Sequence, residues 1–172
     1  MRSKTIVLLE SNEALLRELK STFEKEEEVE VVYAGDDGEV GIQELRRLKP
    51  QLVFVGMFLK GTDGCGVIQA LKKESPDTKI IATGVAGDAL MAIASGADYY
   101  LVKPFSVQSA LERAEELIKP VSATERDVRE IKGRTATLEE KISDIFIAIG
   151  IPPHIKGYRY LRTGIKMAVE MP

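Results

Sequence analysis

The chain lacks tryptophan, and its 172 residues hold one cysteine and one histidine. A lone Cys65 cannot build an internal disulfide framework. With His154 as the single histidine, neither a multi-histidine metal site nor a histidine phosphotransfer pair can be assembled. No apolar run approaches the ~20 residues needed to cross a bilayer, so no membrane association is expected. Met1-Arg2-Ser3-Lys4 leads straight into Thr5-Ile6-Val7-Leu8-Leu9, a run far shorter than a signal-peptide core and without a small-residue cleavage site behind it. A cytoplasmic protein is therefore expected. There is no Ser-His or Cys-His pair and no P-loop, so the sequence offers no catalytic residue and argues against an enzyme.

Apolar residues make up 44% and charged residues 30%, an ordinary globular balance. The length suits one domain of usual size plus an appendage. Charge is uneven: residues 1–119 carry 15 Lys and Arg against 20 Asp and Glu, whereas residues 120–172 carry 9 against 7. A mildly basic tail on an acidic domain permits contact with nucleic acid without arguing strongly for it.

Hydrophobic periodicity divides the first 119 residues into five strand–helix pairs. Strands are predicted at 5–10, 29–33, 51–56, 79–83 and 98–102. Helices are predicted at 13–25, 40–48, 67–73, 86–95 and 107–118. The strands at 5–9, 51–55 and 79–83 are apolar without alternation, as expected when helices cover both faces of a sheet. Strict alternation implies right-handed crossovers and an α/β, five-stranded, parallel, doubly wound sheet. In such sheets ligands sit at the carboxyl ends of the strands, which directs attention to Glu10, Ser11, Gly56, Thr83 and Lys103.

Gly96-Ala97-Asp98-Tyr99-Tyr100-Leu101-Val102-Lys103-Pro104-Phe105 resembles the fifth-strand signature of two-component receiver domains. The resemblance covers about residues 4–119 and implies a flavodoxin-like fold. In that family an acidic pair after the first strand holds Mg²⁺, and an aspartate ending the third strand accepts a phosphoryl group. A Thr or Ser after the fourth strand and a Lys after the fifth contact that group. Matched by motif, the acidic pair falls on Glu10 and Ser11, and the acceptor on Gly56 within Val53-Phe54-Val55-Gly56-Met57. The hydroxyl falls on Thr83, the switch aromatic on Tyr100 and the lysine on Lys103.

The departures matter most. Gly56 has no side chain, so no acyl phosphate can form there. Ser11 replaces a carboxylate, and Mg²⁺ prefers charged oxygen ligands. No cofactor or metal site is expected, with Mg²⁺ binding weak or lost. Phosphoryl transfer depends on positioning and on charge neutralisation by metal, and both are compromised. Asp63, in Lys60-Gly61-Thr62-Asp63-Gly64, reads as a turn or helix-cap residue rather than a substitute acceptor. Lys103 and Thr83 survive without a phosphoryl partner, and two readings stand. In one, Lys103 pairs with Glu10 and holds the site in one state. In the other, both are inherited groups satisfied by water. Tyr100 is likewise either a switch aromatic or a half-buried strand tyrosine.

After Pro120, Val128, Ile131, Thr135, Leu138, Ile142, Ile145 and Ile149 follow alternating spacings of three and four. That is a heptad seam. Capping-box signals at Ser122 and Thr137, with Gly133 between them, leave two readings. Either one long helix pairs with a second copy, or a helical linker over 120–137 precedes a separate helix at 138–149. The broken version is favoured.

Ile149-Gly150-Ile151-Pro152-Pro153-His154-Ile155-Lys156-Gly157-Tyr158 then resembles the opening of the DNA-binding domain of the master sporulation response regulators, the stage 0 sporulation protein A family. The resemblance covers about residues 138–170 and implies a short all-α segment, the start of a truncated DNA-binding domain over 138–172. In that family the recognition helix lies well downstream, so specific DNA binding is not expected of this chain. Lys156, Arg159, Arg162 and Lys166 share one helix face, which either touches phosphates or a partner or is simply solvated.

The expected function is that of an atypical response regulator in a sporulation-type phosphorelay. It would act by protein–protein contact with itself as a homodimer, with a paralogous regulator or with phosphorelay proteins. The helix and strand face around Ala89–Ser95, Tyr99 and Val107–Ala114 is the surface the resemblance suggests for dimerisation. Two alternatives are a DNA-binding transcription factor, if native residues follow 172, and a sensor of a small anion in the vacated pocket.

Overall fold

The chain divides into two units, Met1–Ile118 and Lys119–Pro172. In the computed structural model the described residues are 3–119. The predicted linker, the heptad seam and the basic face of Lys156, Arg159, Arg162 and Lys166 lie outside them.

Five parallel strands form one sheet: β1 (Lys4–Leu9), β2 (Val29–Gly35), β3 (Leu52–Gly56), β4 (Lys79–Gly84) and β5 (Tyr99–Val102). Their order is β2-β1-β3-β4-β5. The helices are α1 (Glu13–Phe23), α2 (Gly38–Leu48), α3 (Gly64–Glu74), α4 (Ala89–Ser95) and α5 (Val107–Ile118). The expected doubly wound, flavodoxin-like receiver sheet is present, with its reversal of order between β1 and β3.

Every residue of β3 is buried, as are the last four of β1 and the last five of β4. This explains why these strands read as continuous apolar runs. One core joins Ile6, Leu8, Leu52, Phe54 and Ile81 of the sheet to Leu19 and Phe23 of α1 and to Ala110, Leu111 and Ala114 of α5. The rings of Phe23 and Phe54 lie 5.4 Å apart, tilted by 57°.

The loops leaving β1, β2 and β3 each end in a side-chain helix cap. Asn12 accepts from the Leu15 amide at 3.1 Å, Asp37 from those of Glu39 and Val40, and Asp63 from that of Gly66 at 2.9 Å. Such caps satisfy amides that the first helical turn leaves unpaired. They also fix where each loop leaves the sheet, and therefore the rim on which the site is built. Asp63 is thus a cap residue, as its turn chemistry predicted.

Most boundaries fall within two residues of expectation, and three differences have a clear local form. Helix α3 starts at Gly64 rather than 67, because the Asp63 cap outweighs the poor helix propensity of Gly64 and Gly66. Strand β2 runs on to Gly35, paired with β1 from Val29 to Gly35 except at Val32, where the register shifts. The segment expected as one helix over 86–95 begins as a 3₁₀ turn, Ala86–Asp88, before α4.

Candidate functional site: a carboxylate, a hydroxyl and an ammonium at the sheet rim

Strand register brings the motif residues to one level. Leu9 pairs with Val55, Gly56 with Thr83, and Gly84 with Val102. Glu10, Gly56, Thr83 and Lys103 therefore stand side by side at the carboxyl ends of four neighbouring strands, where a doubly wound sheet places its ligands.

Glu10 is 2% exposed, which is rare for a carboxylate unless it is paired. Its pairing is extensive. The Lys103 ammonium lies 2.9 Å from the carboxylate. The Thr83 hydroxyl donates to Oε2 at 3.3 Å, and the Asn12 amide donates to Oε1 at 2.9 Å. Backbone contacts fix the framework: the Glu10 amide donates to the Gly35 carbonyl at 3.0 Å and the Lys103 amide to that of Gly84 at 2.8 Å. Of the two readings of Lys103, the paired one is the observed geometry.

Gly56 offers only backbone to this cluster. A Cβ built on it would lie 3.2 Å from Glu10 Oε2 and 3.4 Å from the Leu9 carbonyl oxygen. Ser11 is exposed, and no hydrogen bond of its side chain joins it to Glu10. It lines, together with Glu10, Glu13, Asp36 and Lys60, an open depression beside the cluster. There Lys60 pairs with Asp36 and holds that carboxyl below its usual range.

Tyr100 is turned inward and 1% exposed. Its hydroxyl donates to the Val85 carbonyl at 2.6 Å, tying β5 to the loop that follows β4. Burial above all, with the nearby Asp88 and Cys65 adding to it, pushes the phenol up to about 12. It is therefore a fully buried strand residue that also grips the loop before α4.

Two contributors were not singled out from sequence. Asp98 Oδ2 accepts from the Ile80 amide at 2.8 Å and from Lys72 Nζ at 3.2 Å, joining α3, β4 and β5. Its position in Gly96-Ala97-Asp98 was the available signal. Asn12 was the other: its amide completes the shell of Glu10 while its side chain caps α1.

A model of the response regulator receiver domain matches residues 6–115, and one of the sporulation initiation factor Spo0A C terminal matches residues 142–172. The chain belongs to the response regulator receiver family, and its residues 142–172 are similar to the Spo0A C-terminal family. Solved structures of similar fold include the response regulator domain of Thermotoga maritima CheB. That match has 20% identity and a TM-score of 0.60, covering 67% of this chain and 94% of that one. The receiver domain of NtrX from Brucella abortus matches at 25% identity and a TM-score of 0.57, over 67% of this chain and 98% of that one. CheY is represented by a CheX–CheY–BeF3–Mg complex from Borrelia burgdorferi, at 14% identity and a TM-score of 0.61, over 67% and 90%.

Proposed function

We propose that this response regulator works without phosphorylation at the usual position, as a pseudo-receiver that signals through protein contacts in a sporulation-type phosphorelay. The observation that carries this reading is the Glu10–Lys103 pair beside Gly56. The lysine and the hydroxyl that would meet a phosphoryl group are already bound to a carboxylate, and the acceptor position has no side chain. The donor set also fits Mg²⁺ poorly. Glu10 is committed to Lys103, Thr83 and the Asn12 amide, Gly56 contributes no side-chain oxygen, and Ser11 offers an uncharged one. The partners are protein surfaces: a second copy, a paralogous regulator or a phosphorelay component. A cytoplasmic setting is part of this proposal. Among the described residues no helix is long and apolar enough to cross a membrane.

The test is incubation of the full chain with a small phosphodonor and Mg²⁺, and separately with beryllofluoride, read by intact mass and light scattering. No adduct and an unchanged assembly state are expected. Stoichiometric labelling would mean another carboxylate had become the acceptor, and the reading would fall.

A second reading has its own support. The match of residues 142–172 to the Spo0A C-terminal model favours DNA contact if native sequence follows residue 172. A gel shift on a sporulation-type promoter, repeated at rising salt, decides it: binding without sequence preference removes specific recognition for this form. Nothing comparable favours the anion sensor, because Lys103 is already paired with a buried carboxylate.

A further inference from the structure

We infer that the free edge of β2 is a docking site for a short, extended, lysine- or arginine-rich segment of a partner protein, which adds to the sheet as a further strand. The inference goes beyond the phosphorylation-independent reading and does not rest on it.

Topology supplies the edge. β2 is the terminal strand of the sheet and, among the described residues, pairs with β1 alone. Its outer side therefore presents backbone N–H and C=O groups without a strand partner, a template on which an extended chain can pair. The opposite edge, β5, has four residues against the seven of β2. None of those seven is buried, whereas every residue of β3 is. Val31, Val32 and Tyr33 are half-buried β-branched or aromatic residues, so an added strand covers apolar surface as well as making hydrogen bonds.

Charge names the occupant. Residues 24–39, which are β2 and the chain on either side of it, hold eight acidic residues and one lysine. Glu24 and Glu28 pair with Lys20 and Lys4, and Asp36 pairs with Lys60. Glu27, Glu30 and Glu39 are exposed and make no ion pair among the described residues. A second copy, laid along the edge in either direction, would set these acidic flanks against each other. Nucleic acid and anionic membranes, both polyanions, are repelled as well. A basic segment is attracted, first of all in its rate of encounter.

The register shift sets the length. Val32 has no partner on β1, and such a shift bends the strand and interrupts its ladder. An exposed glutamate and an irregularity of this kind discourage an edge from pairing with its own copy. They still admit an oppositely charged segment over the short runs Val29–Val31 or Tyr33–Gly35. Contacts so short suit a transient partner whose binding depends on salt.

Amide hydrogen exchange of the full chain tests the inference, with the heptapeptide acetyl-Lys-Val-Lys-Val-Lys-Val-Lys-amide as the probe. At saturating peptide, exchange across residues 29–35 is expected to slow about fivefold. Raising salt from low to physiological strength is expected to weaken binding about tenfold. The same peptide with proline in place of valine keeps the charge but cannot complete a ladder, and is expected to leave that exchange unchanged. Glu27→Lys with Glu30→Lys is expected to abolish the protection while the circular dichroism spectrum stays that of the parent. Absence of protection at 29–35 overturns the inference, and so does equal protection by the proline peptide or in the lysine variant. Protection that rises with protein concentration alone overturns it too, because it would give the edge to a second copy.

Discussion

Tyr100 and Gly84 fit each other: a Cβ on residue 84 would lie 2.6 Å from the Tyr100 hydroxyl oxygen and 3.0 Å from Met57 Cγ. The inward seat of the phenol and its bond to the Val85 carbonyl thus depend on a residue without a side chain on the adjacent strand. Gly84→Ala is expected to push Tyr100 from that seat at about 1–3 kcal/mol, the range for overpacking a filled core. Urea unfolding measures the loss, and the near-ultraviolet tyrosine signal reports the displacement. A variant as stable as the parent, with the same spectrum, would contradict the fit.

The same phenol gives an alkaline limit to stability. Its folded value is raised from 10.0 to about 12, so its contribution is complete below pH 10 and disappears as pH rises through about 12. Stability should fall across that window, and Tyr100→Phe should flatten the fall. Stability against pH for both proteins checks it.

Lys103 offsets a carboxylate that is 2% exposed. Lys103→Met leaves Glu10 buried without its counter-charge, at an expected cost of about 3 kcal/mol, the low end for a broken buried pair because the lysine side chain is 31% exposed. Glu10→Leu combined with Lys103→Met should recover most of that loss. A double-mutant cycle in urea isolates the coupling.

Asp98 satisfies the Ile80 amide and pairs with Lys72. Asp98→Ala should cost about 1–3 kcal/mol, the penalty for stranding a buried donor. Hydrogen exchange should show it first at the amide of Ile80.

Asp63→Ala should cost about 1 kcal/mol through loss of the α3 cap, with no effect on the Glu10 cluster. Thermal unfolding gives the first quantity, and exchange at residues 83–88 the second.

The sheet was legible because its central strands are buried on both faces and so read as unbroken apolar runs, with turn residues and helical spacing between them. The start of α3 was not, because a capping aspartate decided it against two glycines of low propensity. At the site, motif spacing placed Glu10, Ser11, Gly56, Thr83 and Lys103 at the strand ends and Tyr100 within the fifth strand. It did not say where the Glu10 side chain points, since that depends on space left by Gly56, on the next strand but far along the chain. The bonds of Asp98 to Ile80 and Lys72 were hidden for a related reason: they span 18 and 26 residues, and no local pattern encodes them.

A phosphoryl group on a regulator is a clock as well as a charge, since it is added, hydrolysed and passed on. On the proposed reading, the buried Glu10 carboxylate bonded to Lys103 and Thr83 keeps no time. On that reading, with no acceptor side chain at Gly56, nothing at that site records whether a kinase has fired. What remains variable is how many copies the cell makes and how fast it removes them, so the quantity such a protein can report is its own abundance.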